Sequence, residues 1–243
     1  FIYDIKSFNK FKIKNKSIVF LLSSTTYSFN VIYFNFLIEG IVPFVLNENL
    51  DIEKIQKLSR IYKPNFILSV KKNDIQNFRQ ISNFNEYYIY KNRDQFNHKF
   101  TKDLALLVST SGSTGDVKFV KLSLENIYTN TKSICNYLNI KKNHVSISNL
   151  PFSYSFGLSI LHTHLYSGAK IIICKHSIIE KKFWDIFKFY RVNSFNGVPY
   201  SYEILNKIKF FQKEYKHLKY FTVAGGSITV SYTHLRAHET GGY

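Results

Sequence analysis

Residues with chemical potential are concentrated between Ser109 and Lys118, which reads Ser-Thr-Ser-Gly-Ser-Thr-Gly-Asp-Val-Lys. Glycines let backbone N–H groups approach an anion, hydroxyls add donors, and the lysine supplies a full charge. A phosphate group is the natural guest. Three later stretches join aromatic residues to proline or glycine: Asn149–Leu158, Asn196–Leu205 and Ala224-Gly225-Gly226. His162 and His164 invite a metal reading. However, helical positions two apart point to different sides, and no neighbouring Cys or carboxylate completes a site. Trp184 among Phe183, Phe187, Phe189 and Tyr190 reads as helix packing.

The elements that must hold these residues follow from the hydrophobic pattern. Ser17–Leu22 is a continuous apolar run, as in a strand buried on both faces. Tyr27–Glu39 is apolar nearly all round and stops at Gly40, a helix end. Ile41–Leu46 is a second strand, in which Pro43 marks an edge or a strand end. Leu50–Tyr62 is an amphipathic helix and Asn65–Val70 a third strand. This is the strand–helix–strand rhythm of a parallel α/β sheet. Lys71–Lys102 is polar, with one short strand at Tyr87–Tyr90. The Ser109–Lys118 loop then lies between strands at Leu104–Val108 and Phe119–Leu122. Beyond it come a helix at Ser123–Leu138 with Ser123 as N-cap, and a strand at Val145–Leu150. A helix at Leu158–Tyr166, a strand at Ala169–Cys174 and a helix at Ile178–Tyr190 follow. The series closes with a strand at Ser194–Val198, a helix at Tyr200–Lys209 and a strand at Tyr220–Ala224.

Composition bounds the rest. A chain of 243 residues with 45% hydrophobic content has ample material for a packed core of one or two domains. The net charge of +17 comes mostly from scattered lysines among many Asn, Ile, Phe and Tyr residues. That mixture reads as a compositional bias rather than a nucleic-acid surface, although its field favours an anionic substrate such as a nucleotide. Cys135 and Cys174 read as buried thiols in a reducing, cytoplasmic setting. No stretch is long and unbroken enough to span a bilayer; Val31–Leu46 is interrupted by Asn35, Glu39, Gly40 and Pro43. The chain opens on Phe1 and has no Met, which reads as a fragment lacking its start.

The loop is not a Walker-type P-loop, because Val117 precedes Lys118 and Phe119 follows it. Instead Thr110, Ser111, Gly112, Ser113, Thr114, Gly115 and Lys118 resemble the phosphate-binding signature of AMP-forming acyl and aryl synthetases. This is the adenylate-forming superfamily of acyl-CoA ligases, peptide-synthetase adenylation domains and luciferases. Val117 stands where that family usually has Pro, and Ser123-Leu124-Glu125-Asn126 lacks the His of its Ser-His-x-Asn. Asn149–Leu158 is similar to the family's Leu-Pro-x-x-aromatic-x-x-Gly-Leu segment, with Tyr154 where an aromatic borders the acyl pocket. Phe152 and Phe156 are read as core. Gly197, Val198 and Pro199 resemble its Val-Pro segment beside that pocket, and Ala224, Gly225 and Gly226 its Gly-Gly turn near the adenine.

The resemblance covers residues 1–229. It implies an α/β fold of layered, parallel-rich sheets with flanking helices, part of the family's N-terminal domain. It implies ATP-dependent activation of a carboxylic acid to acyl-AMP and pyrophosphate. Thioester formation on CoA or a carrier protein's phosphopantetheine would follow. No Asp lies between Asn149 and Lys170 where adenylation domains hold an α-amino group, so an acyl or aryl acid is expected. Residues 230–243 break abruptly in character and resemble a translated sequencing adapter, so His234, His238 and Glu239 are not read as a site. The family's Mg²⁺-contacting Glu and adenylation lysine are expected beyond this point, and the 243 residues alone are expected to be inactive. The alternative is a non-catalytic nucleotide- or nucleic-acid-binding protein of the same fold.

Overall fold

The computed structural model describes residues 2–101, 103–109, 119–210 and 215–226. They form two compact units: 1–130 with 151–155, and 131–150 with the remainder.

The first unit is built on a seven-stranded sheet. Its elements are α1 (Ile2–Ser7), a 3-10 turn (Phe8–Phe11), β1 (Ile18–Ser23), α2 (Tyr27–Glu39), β2 (Val42–Asn47), α3 (Ile52–Tyr62) and β3 (Phe66–Ser69). Then come β4 (Phe78–Phe84), β5 (Tyr87–Asn92), β6 (Leu104–Ser109) and β7 (Phe119–Ser123). The strand order is β4-β5-β3-β1-β2-β6-β7. The centre, β3-β1-β2-β6, is parallel, as the strand–helix rhythm predicts. Both edges are antiparallel. Every residue of β1 is buried, which is why its sequence shows no alternation. Pro43 sits in an interior strand, so the edge reading fails and the strand-end reading holds. β6 meets β2 only from Phe44 onward, so proline's missing N–H breaks no bond on that side.

The apolar girth of α2 has a direct cause. Phe29, Val31, Ile32, Tyr33 and Phe36 are all buried, and the N-terminal segment covers the helix face turned away from the sheet. Asn35 donates to the Ile5 carbonyl at 2.8 Å, and the Phe8 ring meets Phe36 edge-on at 5.5 Å. Thr26 caps the helix by accepting from the Phe29 N–H, and Gly40 ends it in the left-handed conformation (φ 65°). β4 was not foreseen. Its middle is mostly polar, with Arg79, Gln80, Ile81 and Asn83 all exposed, and it is held as an edge by pairing with β5 rather than by burial.

The second unit contains the remainder of α4 (Leu124–Tyr137), β8 (Val145–Ile147), α5 (Ser155–Tyr166), β9 (Lys170–Ile172), α6 (Lys181–Phe189), β10 (Ser194–Gly197), α7 (Pro199–Lys207) and β11 (Tyr220–Val223). β8 pairs with β9, and β10 with β11, both in parallel. Between β8 and β10 the Asn193 N–H donates to the Val145 carbonyl (2.8 Å), and the Val145 N–H donates to Asn193 Oδ1 (2.6 Å). An aromatic core of Phe183, Phe187, Phe195, Tyr202 and Phe210 packs one side. The strands are shorter than their apolar runs suggest. α5 begins at Ser155 rather than Leu158, and α6 at Lys181 rather than Ile178. At α4 the capping expectation is met reciprocally. Ser123 Oγ accepts from the Asn126 N–H and Asn126 Oδ1 from the Ser123 N–H, both at 3.0 Å.

Candidate active site

Six of the expected pocket residues come together at the C-terminal ends of β10 and β11. Gly197 is the last residue of β10, Val198 caps α7 in an extended conformation, and Pro199 is its first helical residue. Proline suits that position because its fixed φ is helical and its missing N–H is not needed there. The Val198 N–H donates to Ser201 Oγ (3.3 Å) and the Ser201 N–H to the Val198 carbonyl (2.8 Å), which sets the entry angle of the helix. Alongside, the Ala224 N–H faces the Gly197 carbonyl at 3.4 Å. Gly225 takes φ 87°, a left-handed turn that favours glycine. A Cβ on Gly226 would stand 3.1 Å from Pro199 Cγ, so the two segments lie against each other.

Gly197 is buried and cannot take a side chain without displacement. A Cβ there would be 2.8 Å from Ser201 Cβ and 3.1 Å from both Phe195 Cε1 and Tyr202 Cε2. The glycine is therefore required by space rather than by backbone angle.

Tyr154 belongs to the first unit. It is half-buried in a turn in which its N–H donates to the Pro151 carbonyl at 3.1 Å. The neighbouring Phe152 is 1% exposed and stacks on Phe29 at 5.2 Å, in agreement with its core reading. Phe156 is only partly buried. Ser109, the last residue of β6, points its hydroxyl at the Ser153 carbonyl (3.5 Å). β6 and β7 are antiparallel partners, with Ser109 opposite Phe119. Ser109 and Phe119, which flank the expected phosphate loop, are thus partners in the sheet, and Ser109 lies beside Ser153. Thr110, Ser111, Gly112, Ser113, Thr114, Gly115 and Lys118 themselves lie outside the described residues, as does the segment 230–243.

Sequence reasoning missed the bracing beneath these turns. Asn196 is 3% exposed and joins three strands. Its Nδ2 donates to Ser146 Oγ at 2.9 Å, its Oδ1 accepts from Thr222 Oγ1 at 2.6 Å, and its carbonyl accepts from Asn149 Nδ2 at 2.5 Å. The signal was available. His144, Ser146 and Ser148, then Ser194 and Asn196, then Tyr220 and Thr222 alternate with apolar residues at strand period.

Burial lowers the His162 imidazole to about 4. It lowers His164 as well, partly offset by the Ile160 carbonyl that its Nδ1 meets at 2.9 Å. Both cysteines are buried free thiols. Among the described residues no three His, Cys, Asp or Glu side chains are grouped to hold a metal ion, and no helix is long and apolar enough to cross a membrane.

The family model described as "AMP-binding enzyme" matches residues 6–242. The chain belongs to the AMP-binding enzyme family. Among relatives of this family, it is 27% identical over 99 residues to the acyl-CoA ligase easD of Emericella nidulans, covering 40% of this chain and 17% of that one. It is also 27% identical over 123 residues to the D-alanine–D-alanyl carrier protein ligase of Bacillus licheniformis, covering 45% and 24%. Solved structures share the fold. VinN superposes with a TM-score of 0.75 at 14% identity, covering 96% of this chain and 62% of that one. The O-succinylbenzoate coenzyme A synthetase MenE of Bacillus subtilis, in complex with AMP, gives 0.71 at 15% identity, covering 92% and 58%. The chain thus spans less than two thirds of each.

Proposed function

We propose that residues 1–229 form part of the N-terminal domain of a ligase that activates a carboxylic acid as its adenylate. The observation that carries this reading is the juxtaposition of Gly197-Val198-Pro199 with Ala224-Gly225-Gly226. Two parallel strands end together there in glycine-lined turns, the position at which open α/β sheets bind ligands.

In the proposed reaction the carboxylate oxygen attacks the α-phosphorus of ATP, the bond to the bridging oxygen breaks, and pyrophosphate leaves. A thiol, from CoA or a carrier protein's phosphopantetheine, then displaces AMP to give the thioester. Thr110–Gly115 and Lys118 hold the β- and γ-phosphates and the departing pyrophosphate, and Tyr154 borders the acid. A charge-assisted hydrogen bond of the Lys118 kind is worth about 1.5–3 kcal/mol. Mg²⁺ is implied by the family; among the described residues no three His, Cys, Asp or Glu side chains are grouped to hold a metal ion, and no step here is routed through it.

ATP–pyrophosphate exchange with a panel of acyl and aryl acids, run on the full-length protein that carries this chain, tests the proposal. Acid-dependent exchange that falls by tenfold or more in Lys118→Ala supports it. Exchange that is absent, with salt-sensitive oligonucleotide binding that ATP does not compete, refutes it in favour of a nucleic-acid binder. Acyl-AMP formation by the 243 residues alone would overturn the expectation that adenylation needs residues beyond them.

A further inference from the structure

The alternation on β8, β10 and β11 gives the second unit a sheet face that is both polar and buried. Ser146, Ser148, Ser194 and Asn196 are all 5% exposed or less. At the C-terminal end of the strands Asn196 binds Ser146 and Thr222, and Ser148 Oγ donates to the Ile172 carbonyl and accepts from the Cys174 N–H, which leaves one unmet atom there among the described residues, Asn149 Oδ1.

The opposite end differs. His144, Ser194 and Tyr220 stand at the N-terminal ends of the three strands, with the His144 and Tyr220 rings 6.1 Å apart and Ser194 paired opposite Tyr220. His164 of α5 is tied to the same end. Its carbonyl accepts from the Ala169 N–H and the His144 carbonyl from the next residue, Lys170. A proton on His144 would lower His164 further, and ionisation of Cys135, whose thiol donates to the Thr163 carbonyl of α5, would raise Tyr220, so these groups lie near one another. Two ring nitrogens here, His144 Nδ1 and His164 Nε2, are buried and meet no hydrogen-bond partner among the described residues, while the buried Ser194 and Tyr220 hydroxyls have only each other. An unmet buried group of this kind costs about 1–3 kcal/mol, so two on facing elements, beside two hydroxyls with lone pairs to spare, need a common explanation.

The partners on the far side of each imidazole fix what is missing. The Lys219 ammonium lies 3.2 Å from His144 Nε2 and can only donate. Nε2 therefore accepts, and His144 Nδ1 carries a proton with nowhere to give it. The Ile160 carbonyl lies 2.9 Å from His164 Nδ1 and can only accept. His164 Nδ1 therefore carries the proton, and Nε2 is a lone pair without a donor. Burial, which lowers both groups, keeps them neutral. A cation is repelled by the His144 N–H and an anion by the His164 lone pair, whereas a molecule that donates and accepts satisfies both.

We propose that this end of the sheet is an internal water site, in which ordered water accepts from His144 Nδ1–H and donates to His164 Nε2, with the Ser194 and Tyr220 hydroxyls completing its partners. The water fastens α5 to the strand ends, at the far end of the strands from the pocket turns.

Two measurements on the 243-residue chain test this. In ¹⁵N-histidine spectra at pH 7.5, His144 and His164 are both expected as the Nδ1–H tautomer. In oxygen-17 magnetic relaxation dispersion, Ser194→Ala and Tyr220→Phe are each expected to remove the contribution of at least one long-lived water, while Trp184 fluorescence reports an intact fold. Either imidazole in the Nε2–H form, or a dispersion amplitude equal to wild type in a folded variant, overturns the proposal. Ser194→Ala removes only one oxygen and keeps the test open if Tyr220→Phe does not fold.

Discussion

Replacing Gly197 by alanine sets two effects against each other. Gly197 has no left-handed φ, so alanine can adopt its backbone angles. On that ground alone the substitution stabilises by about 0.4–1 kcal/mol through the unfolded chain. The new Cβ, however, meets Ser201 Cβ at 2.8 Å and the Phe195 and Tyr202 rings at 3.1 Å. Carbon atoms rest at about 3.5–4.0 Å, so three neighbours must retreat by roughly 0.4–0.7 Å. None can do so freely. Phe195 is 0% and Tyr202 4% exposed, the Tyr202 hydroxyl donates to the Thr222 carbonyl at 2.6 Å, and Ser201 holds the Val198 N–H. Overpacking costs about 1–3 kcal/mol, and one weakened hydrogen bond about 0.5–1.5 kcal/mol. The net expectation is a loss of roughly 1–3 kcal/mol, growing further in Gly197→Val. Trp184, the only tryptophan, lies 4.8 Å from Phe210 and 6.1 Å from Phe195 by ring centroids. Its fluorescence in a urea titration therefore reads this unit. A midpoint at or above wild type with an unchanged slope would show that the pocket wall yields, and the space argument would be wrong.

Other outcomes follow from the same packing. Asn196→Leu leaves Ser146 and Thr222 without their shared partner, and a loss of about 2–4 kcal/mol is expected in the same titration. The neutral burial of His162, His164 and His144 makes this unit acid-labile. Unfolded histidines take a proton near pH 6.5 and the folded ones only at lower pH, so stability is full above about 6.5 and declines as pH falls. For His162 the decline ends near its folded value of about 4 and amounts to no more than about 3 kcal/mol; a flat urea midpoint from pH 7 to 4.5 contradicts it. Phe152→Ala removes the ring stacked on Phe29 and should cost about 3–5 kcal/mol, read as lost amide-exchange protection in α2. A thiol reagent should find neither Cys135 nor Cys174 in the native chain and both in denaturant.

The sequence by itself determined the parallel centre of the first unit, because strands buried on both faces leave continuous apolar runs and the intervening helices carry their own start and stop residues. It also marked the Gly197–Pro199 and Ala224–Gly226 turns, where Pro199 suits the first helical position and Gly225 the left-handed φ, whereas Gly197 answers to space. Local pattern could not place β4, a solvent-facing edge whose polar residues are held by pairing with β5. It could not choose between the two readings of Pro43, since only the sheet order shows where β6 begins to need a donor. Nor could it reveal that the Gly197 and Gly226 turns touch, because the segments lie far apart in the chain and meet only through the β10–β11 ladder. The same distance hid the polar face. Each strand showed its alternation, but whether Ser146, Asn196 and Thr222 met water or one another depended on strands brought side by side, and burial there turned single polar residues into a bonded seam.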